Sequence, residues 1–212
     1  ARGRDNIQVL DPGFNFVTVM EISMKENSSN VCNPHDISPC GSGRACVTRY
    51  DDSELWFIDL STGTKYGQMD LSSYGYDGNN PHMHTLYYDE ANDRIFVSLQ
   101  RLDSSYKPSD YSSVLVIRAS TMTVEKEIKL TWNDGGTDVF ATNPYTYFRR
   151  VASAQWNPGD GHDHLLISCV GKFGHYYQTD CGIVAIDLTD LEVEQGYVIT
   201  ESGLGGEVND FV

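Results

Sequence analysis

Apolar positions along this chain come in short runs, not at the three- and four-residue spacing of a helix face. The runs are rich in Val, Ile, Tyr, Phe and Thr and are broken by Gly, Asn, Asp and Pro, the pattern of an all-β protein. One phrase recurs four times, as Ile7 to Gly13, Leu55 to Thr62, Val114 to Thr121 and Ile183 to Asp190. Each copy is an apolar strand closing on Asp (Asp11, Asp59, Asp187) or, once, on Arg118, followed by turn-forming residues. Behind each stands a strand of mixed character: Phe16 to Met24, Lys65 to Leu71, Val124 to Leu130, and Glu192 to Ile199. In the third of these, alternation places Val124, Ile128 and Leu130 on one face and Glu125, Glu127 and Lys129 on the other. A strand with one wet face belongs at the outside of a sheet.

Two more phrases precede the first in each full unit. One reads Ala45-Cys46-Val47-Thr48, Ile95-Phe96-Val97-Ser98 and Leu165-Leu166-Ile167-Ser168. The other, earlier still, reads Asn33-Pro34-His35-Asp36-Ile37, Asn80-Pro81-His82-Met83-His84 and Asn143-Pro144-Tyr145-Thr146-Tyr147. Three phrases and the outer strand make a four-stranded unit. Ile58, Ile117 and Ile186 hold equivalent places, so the units run about 59 and about 69 residues apart, longer than the ~40–50 residues of common repeats of this kind. The excess falls in loops such as Asp103 to Ser113 and Lys172 to Asp180.

The run Cys46-Val47-Thr48-Arg49, with Phe57-Ile58-Asp59 and Ser61-Thr62-Gly63, resembles the YVTN-type repeat of quinoprotein-like β-propellers. In that repeat a Tyr-Val-Thr-Asn strand is followed by a Val-Ile-Asp strand and an outer strand. The likeness extends over nearly the whole chain on short motifs, and departs from the family at Cys46, Arg49, the long loops and the cysteines. It implies a WD40-like radial stack of four-stranded antiparallel blades, the first strand of each lining a central channel and the fourth facing outward. Residues 1–30 then end one blade, 31–73, 74–131 and 132–202 are three blades, and 203–212 are the first strand of another. Because propellers close with about four to eight blades, the expectation is an arc of about four within a seven- or eight-bladed ring. The remaining blades would come from further sequence or another chain, and would cover flat apolar sheet faces at the ends of the arc.

Charge narrows the partners. Fifteen basic residues stand against 30 acidic ones, for a net charge of −15, with the acidic residues scattered along the chain. Nucleic acid and anionic membrane surfaces need clustered Lys and Arg, so neither is an expected partner. No stretch is apolar enough for a membrane span, and Ala1 to Asp5 lacks the apolar core of a signal peptide. None of the five cysteines shows C-x-x-C spacing. Cys169 and Cys181 flank a polar, aromatic turn and are expected to staple it. One pair is expected among Cys32, Cys40 and Cys46, with Cys40 and Cys46 the candidates. Disulfides suit an oxidising compartment, so the expected location is secreted, periplasmic or cell-surface.

Candidate chemistry is sparse. His35 and His82 follow Asn-Pro in successive units, and alternation puts His84 on the face of His82. With Tyr145 in the third unit they are candidate channel-lining residues, and His35, His82 and His84 could hold copper or zinc. The loop Asn157-Pro158-Gly159-Asp160-Gly161-His162-Asp163-His164 reads as a hairpin turn, with calcium a lesser possibility because it lacks EF-hand spacing. No G-x-S-x-G elbow or phosphate-binding glycine loop is present. Tyr106, Tyr111, Phe173, Tyr176 and Tyr177 stand in long loops and suit protein or glycan recognition. The expectation is an exported, non-catalytic binding or scaffolding module with no required cofactor. The alternative is part of a propeller enzyme with its site at the channel.

Overall fold

The computed structural model describes residues 4–27, 31–78, 80–133, 139–171, 181–194, 196–200 and 203. All the sheets are antiparallel and each is wound from consecutive strands. The first has two strands, β1 (Asn6–Asp11) and β2 (Val17–Ser23). The second holds β3 (Pro34–Pro39), β4 (Arg44–Arg49), β5 (Glu54–Asp59) and β6 (Lys65–Asp70) in that order. The third runs through β7 (Met83–Asp89), β8 (Arg94–Leu99), β9 (Ser112–Arg118) and β10 (Thr123–Asn133), with short β11 (Val139–Ala141) beyond β10. The last contains β12 (Arg149–Val151), β13 (His164–Cys169), β14 (Gly182–Asp187) and β15 (Ile199–Thr200). Phe173, Tyr176 and Tyr177 lie outside the described residues, as does the strand expected over Gly205 to Val212.

The recurring Asp has a local cause. Asp59 Oδ1 accepts the backbone N–H groups of Ser61 (2.8 Å) and Thr62 (3.1 Å), and Asp187 Oδ1 those of Thr189 (2.6 Å) and Asp190 (3.0 Å). Asp11 caps Gly13 in the same way at 2.7 Å. These Asx turns reverse the chain between β5 and β6, between β14 and β15, and between the two strands of the first sheet. Where Arg118 replaces the Asp, Asp93 of the neighbouring hairpin accepts the Ser120 N–H at 3.2 Å instead.

The core lies between sheets, because the central strands bury both faces. Leu55 and Phe57 of β5 pack with Ile95, Val97, Leu115 and Ile117 of the third sheet. Trp56 and Ile58, one residue out of phase, pack the other way, onto Ile22, Met24 and the partly buried Ile7, Val9 and Met20. Phe96, Val114 and Val116 of the third sheet turn toward Leu165, Ile167, Val184 and Ile186 of the fourth. Strand alternation thus feeds adjoining cores from one strand.

Several expectations are corrected. A register shift between Val124 and Lys126 makes Val124 pack toward the second sheet while Ile128 and Leu130 pack toward the fourth. The bulge adds one residue and so reverses alternation along β10. The outer strand expected over Glu192 to Ile199 shrinks to β15, paired with Gly182 and Ile183, and a single bridge from Val193 to Ile186. A disulfide joins Cys40 to Cys46 with their Cα atoms 5.9 Å apart, closing the β3–β4 hairpin. None joins Cys169 to Cys181. Cys169 is directly opposite Gly182 in the ladder, so Cys181, one position off, belongs to the other face. The Cys169 thiol instead sits against the Ile167 carbonyl at 3.9 Å, its pKa pushed up to about 12 by burial.

Candidate functional site

Each full sheet begins with the same backbone device. Asn33, His82 and Asn143 all take left-handed φ, at 48°, 52° and 54°. Their carbonyls accept the N–H groups of Tyr50, Gln100 and Val170, each 3.0 or 3.1 Å away. Pro34, Met83 and Pro144 follow, opposite Arg49, Leu99 and Cys169. The register therefore aligns His35 with His84 and Tyr145, whereas the Asn-Pro phrase aligned it with His82. The third sheet reaches the left-handed position two residues after its Asn80, and His82 takes the place that Asn holds in its neighbours.

The three equivalent rings form a row across the sheets. His35 and His84 meet edge to face at 4.3 Å, and His84 and Tyr145 stand 5.4 Å apart. Tyr50, which sequence reasoning overlooked, stacks on His35 at 4.9 Å and lies 5.3 Å from His82. His82 in turn meets the exposed loop residue Tyr106 at 5.6 Å. Burial holds the His82 pKa below the ordinary imidazole value. His82 also lines a cleft of about 390 Å³ with Asp51, Asn80, Asp103 and Tyr106. Tyr111 is not presented outward in the same way: the Arg101 guanidinium and the Lys129 ammonium lie over its ring at 3.5 and 4.1 Å.

Buried polar groups lock this row in place. Thr48, Ser98 and Ser168 are fully buried at equivalent positions. Thr48 Oγ1 accepts the Asp36 N–H (2.9 Å) and Ser98 Oγ the Thr85 N–H (3.0 Å), while Ser168 Oγ meets Thr146 Oγ1 at 2.7 Å. In the second and third sheets the hydroxyl stands where a bulge interrupts the pairing of the first and second strands. Bonds also cross between sheets. Thr48 Oγ1 donates to the His84 carbonyl at 3.1 Å, and Asp36 Oδ2 accepts the Leu86 N–H at 2.8 Å, with burial raising the Asp36 pKa. Tyr50 donates its hydroxyl to Gln100 Oε1 (2.7 Å), and Gln100 Nε2 donates to the Pro144 carbonyl (3.0 Å). The row offers aromatic faces and imidazoles for stacking and hydrogen bonding.

The segment from Asn157 to Asp163 is the second half of a longer connection between β12 and β13, and His164 is the first residue of β13. Asn157 Oδ1 accepts the N–H groups of Gly159 (2.7 Å) and Gly161 (3.1 Å). Its far end brings metal-ligating atoms together: Asp160, His164, Asp187 and Glu194 place one such atom each within 4.8 Å of one another. His35, His82 and His84 form no such group among the described residues.

No protein-family model matches the chain. No curated protein sequence matches it. Solved structures do. Sqt1 of Saccharomyces cerevisiae superimposes with a TM-score of 0.54 at 12% identity, over 93% of this chain and 42% of that one. The WD40 domain of Neurospora crassa Pan2 gives 0.51 at 10% identity, over 91% and 46%. Hydrazine synthase of Kuenenia stuttgartiensis gives 0.49 at 16% identity, over 83% and 40%. The chain spans less than half the length of these structures. Four-stranded antiparallel sheets, cores between rather than within them, and the likeness to Sqt1 and Pan2 together identify the fold as part of a β-propeller.

Proposed function

We propose that this chain is an arc of an exported, YVTN-type β-propeller that serves as a protein-binding or scaffolding surface, and that the open face of the β1–β2 sheet is where further blades dock. The observation that carries this reading is apolar exposure along the β1–β2 hairpin. Phe14 (73% exposed) and Phe16 (67%) in the connection, Val17 (58%) and Val19 (61%) on β2 and Leu10 (44%) on β1 all stand in water, while Ile22 is 5% exposed. Apolar side chains left in water beside a sheet whose other face is already packed suit a blade that gains a second neighbour. The occupant is further propeller sequence, because the chain spans under half of the propellers it matches. With the ring complete, the exposed Tyr106 is left to meet a protein partner. Export is supported by the Cys40–Cys46 disulfide, since such bonds persist in oxidising compartments.

The test is hydroxyl-radical footprinting of the protein isolated from its natural source, beside the isolated 212-residue chain. Phe14, Phe16 and Val19 are expected to be labelled several-fold less in the natural assembly. Equal labelling would sink the docking assignment. Alkylation of the same natural sample without reductant should leave Cys40 and Cys46 unmodified, and modification of both would remove the argument for export.

A second reading places a metal or substrate site at the channel, favoured by the 4.3 Å contact between His35 and His84. Metal held there would depend on those two residues.

A further inference from the structure

His164 opens β13 with its side chain fully enclosed, and Trp156 meets its ring edge to face at 4.8 Å. Its Nδ1 lies 3.1 Å from the backbone carbonyl of His162. A carbonyl oxygen only accepts, so Nδ1 carries the proton. In the neutral ring this leaves Nε2 with a bare lone pair, and that lone pair faces two carboxylates. Asp160 Oδ2 is 3.2 Å away and Glu194 Oε1 3.1 Å. Three electron-rich atoms pointed at one spot repel one another unless a positive charge sits among them. That charge is either a second proton on the imidazole or a metal ion.

The geometry points to zinc. We propose that Asp160, His164 and Glu194 bind Zn²⁺, with the carboxylate of Asp187 as the nearest fourth donor. Donors bonded at about 2.0–2.1 Å in a tetrahedron stand about 3.3 Å apart, close to the separations between Nε2 and the two carboxylate oxygens. An imidazole with carboxylates matches zinc, whereas calcium takes six to eight oxygens. The supporting contacts are those of a metal site: the far nitrogen of His164 is oriented by a backbone carbonyl, and His162 Nδ1 holds Asp187 Oδ2 at 2.6 Å. The ion would tie the β12–β13 hairpin to the segment carrying Glu194, the stretch where the outer strand of the last sheet is reduced to two residues. Its role is structural, and it does not depend on the docking assignment.

The experiment uses protein stripped with a chelator and titrated with zinc chloride alone, followed by calorimetry and thermal unfolding. One equivalent of zinc is expected to bind and raise Tm, while calcium at the same concentration does neither. Because Asp160 is exposed and Glu194 partly so, Asp160→Asn and Glu194→Gln should fold without metal and weaken zinc binding at least tenfold. Absence of saturable binding overturns the proposal, and so does equal affinity in the variants. Zinc kept by both variants but lost in a His35→Gln/His84→Gln protein overturns it too and moves the metal to the inner row.

Discussion

At the scale of single residues, the recurring phrases owe their spelling to backbone groups that would otherwise go unpaired. Thr48 is the clearest case, a buried hydroxyl that accepts from Asp36 and donates to the His84 carbonyl. Thr48→Val keeps the shape and removes both bonds, and should cost about 1–3 kcal/mol in urea unfolding. Ser98→Ala should behave alike, since Ser98 serves Thr85 in the next sheet. The hydroxyl was legible in the repeat, but its task was not. The Asn-Pro phrase misled in a related way: its likeness at 33–34 and 80–81 is real, yet backbone conformation aligns Asn33 with His82. Tyr50 and Gln100 drew no notice because each lies just after a strand, and only tertiary packing makes them a bridge between sheets.

At the scale of elements, turns were readable and bulges were not. An Asx turn is a local arrangement of a few residues, so Asp59 and Asp187 announce it. The bulge at Val124 depends on what lies opposite, and β10 therefore serves two cores that its alternation assigned to one. The attachment of the first sheet is another long-range matter. Asp5 accepts the Asn33 N–H at 2.6 Å and the Cys32 N–H at 3.3 Å, and pairs with Lys25 at 3.0 Å. Burial raises its pKa, but the bonds from Asn33, Lys25 and Cys32 outweigh that and leave it below the usual carboxylate value. A carboxylate depressed in the folded state contributes fully above its unfolded pKa of about 3.9 and loses that contribution as pH falls through the folded value. Asp5→Asn should therefore be less stable than the parent at pH 7 and lose less on acidification to about pH 2. Thermal unfolding across that range checks both, and hydrogen exchange should quicken first in β1 and β2.

At the scale of the whole molecule, stability is a chain of neighbour contacts, because each core lies between two adjoining sheets. Phe96 is fully buried in the core between the third and fourth sheets. Phe96→Ala should cost about 3–5 kcal/mol. Hydrogen exchange should accelerate in β7–β9 and β13–β14 while β1 and β2 change little; a uniform response would show that the sheets unfold as one unit. The same neighbour logic underlies the proposal that another blade covers the exposed apolar residues of the β1–β2 hairpin.

Period-two runs and turn residues were enough to determine an all-β chain of four-stranded units, because they follow from contacts within a few residues. Its acidic balance likewise bears on partners whatever the fold. Everything that needs two distant segments to meet was left to tertiary structure: the row of His35, His84 and Tyr145, the fate of Cys169 and Cys181, and the convergence of Asp160 and His164 with Glu194. The physical reason is register. A one-residue shift sends a side chain to the other face of its sheet, and the pairing that sets the shift involves a partner strand the local sequence does not describe.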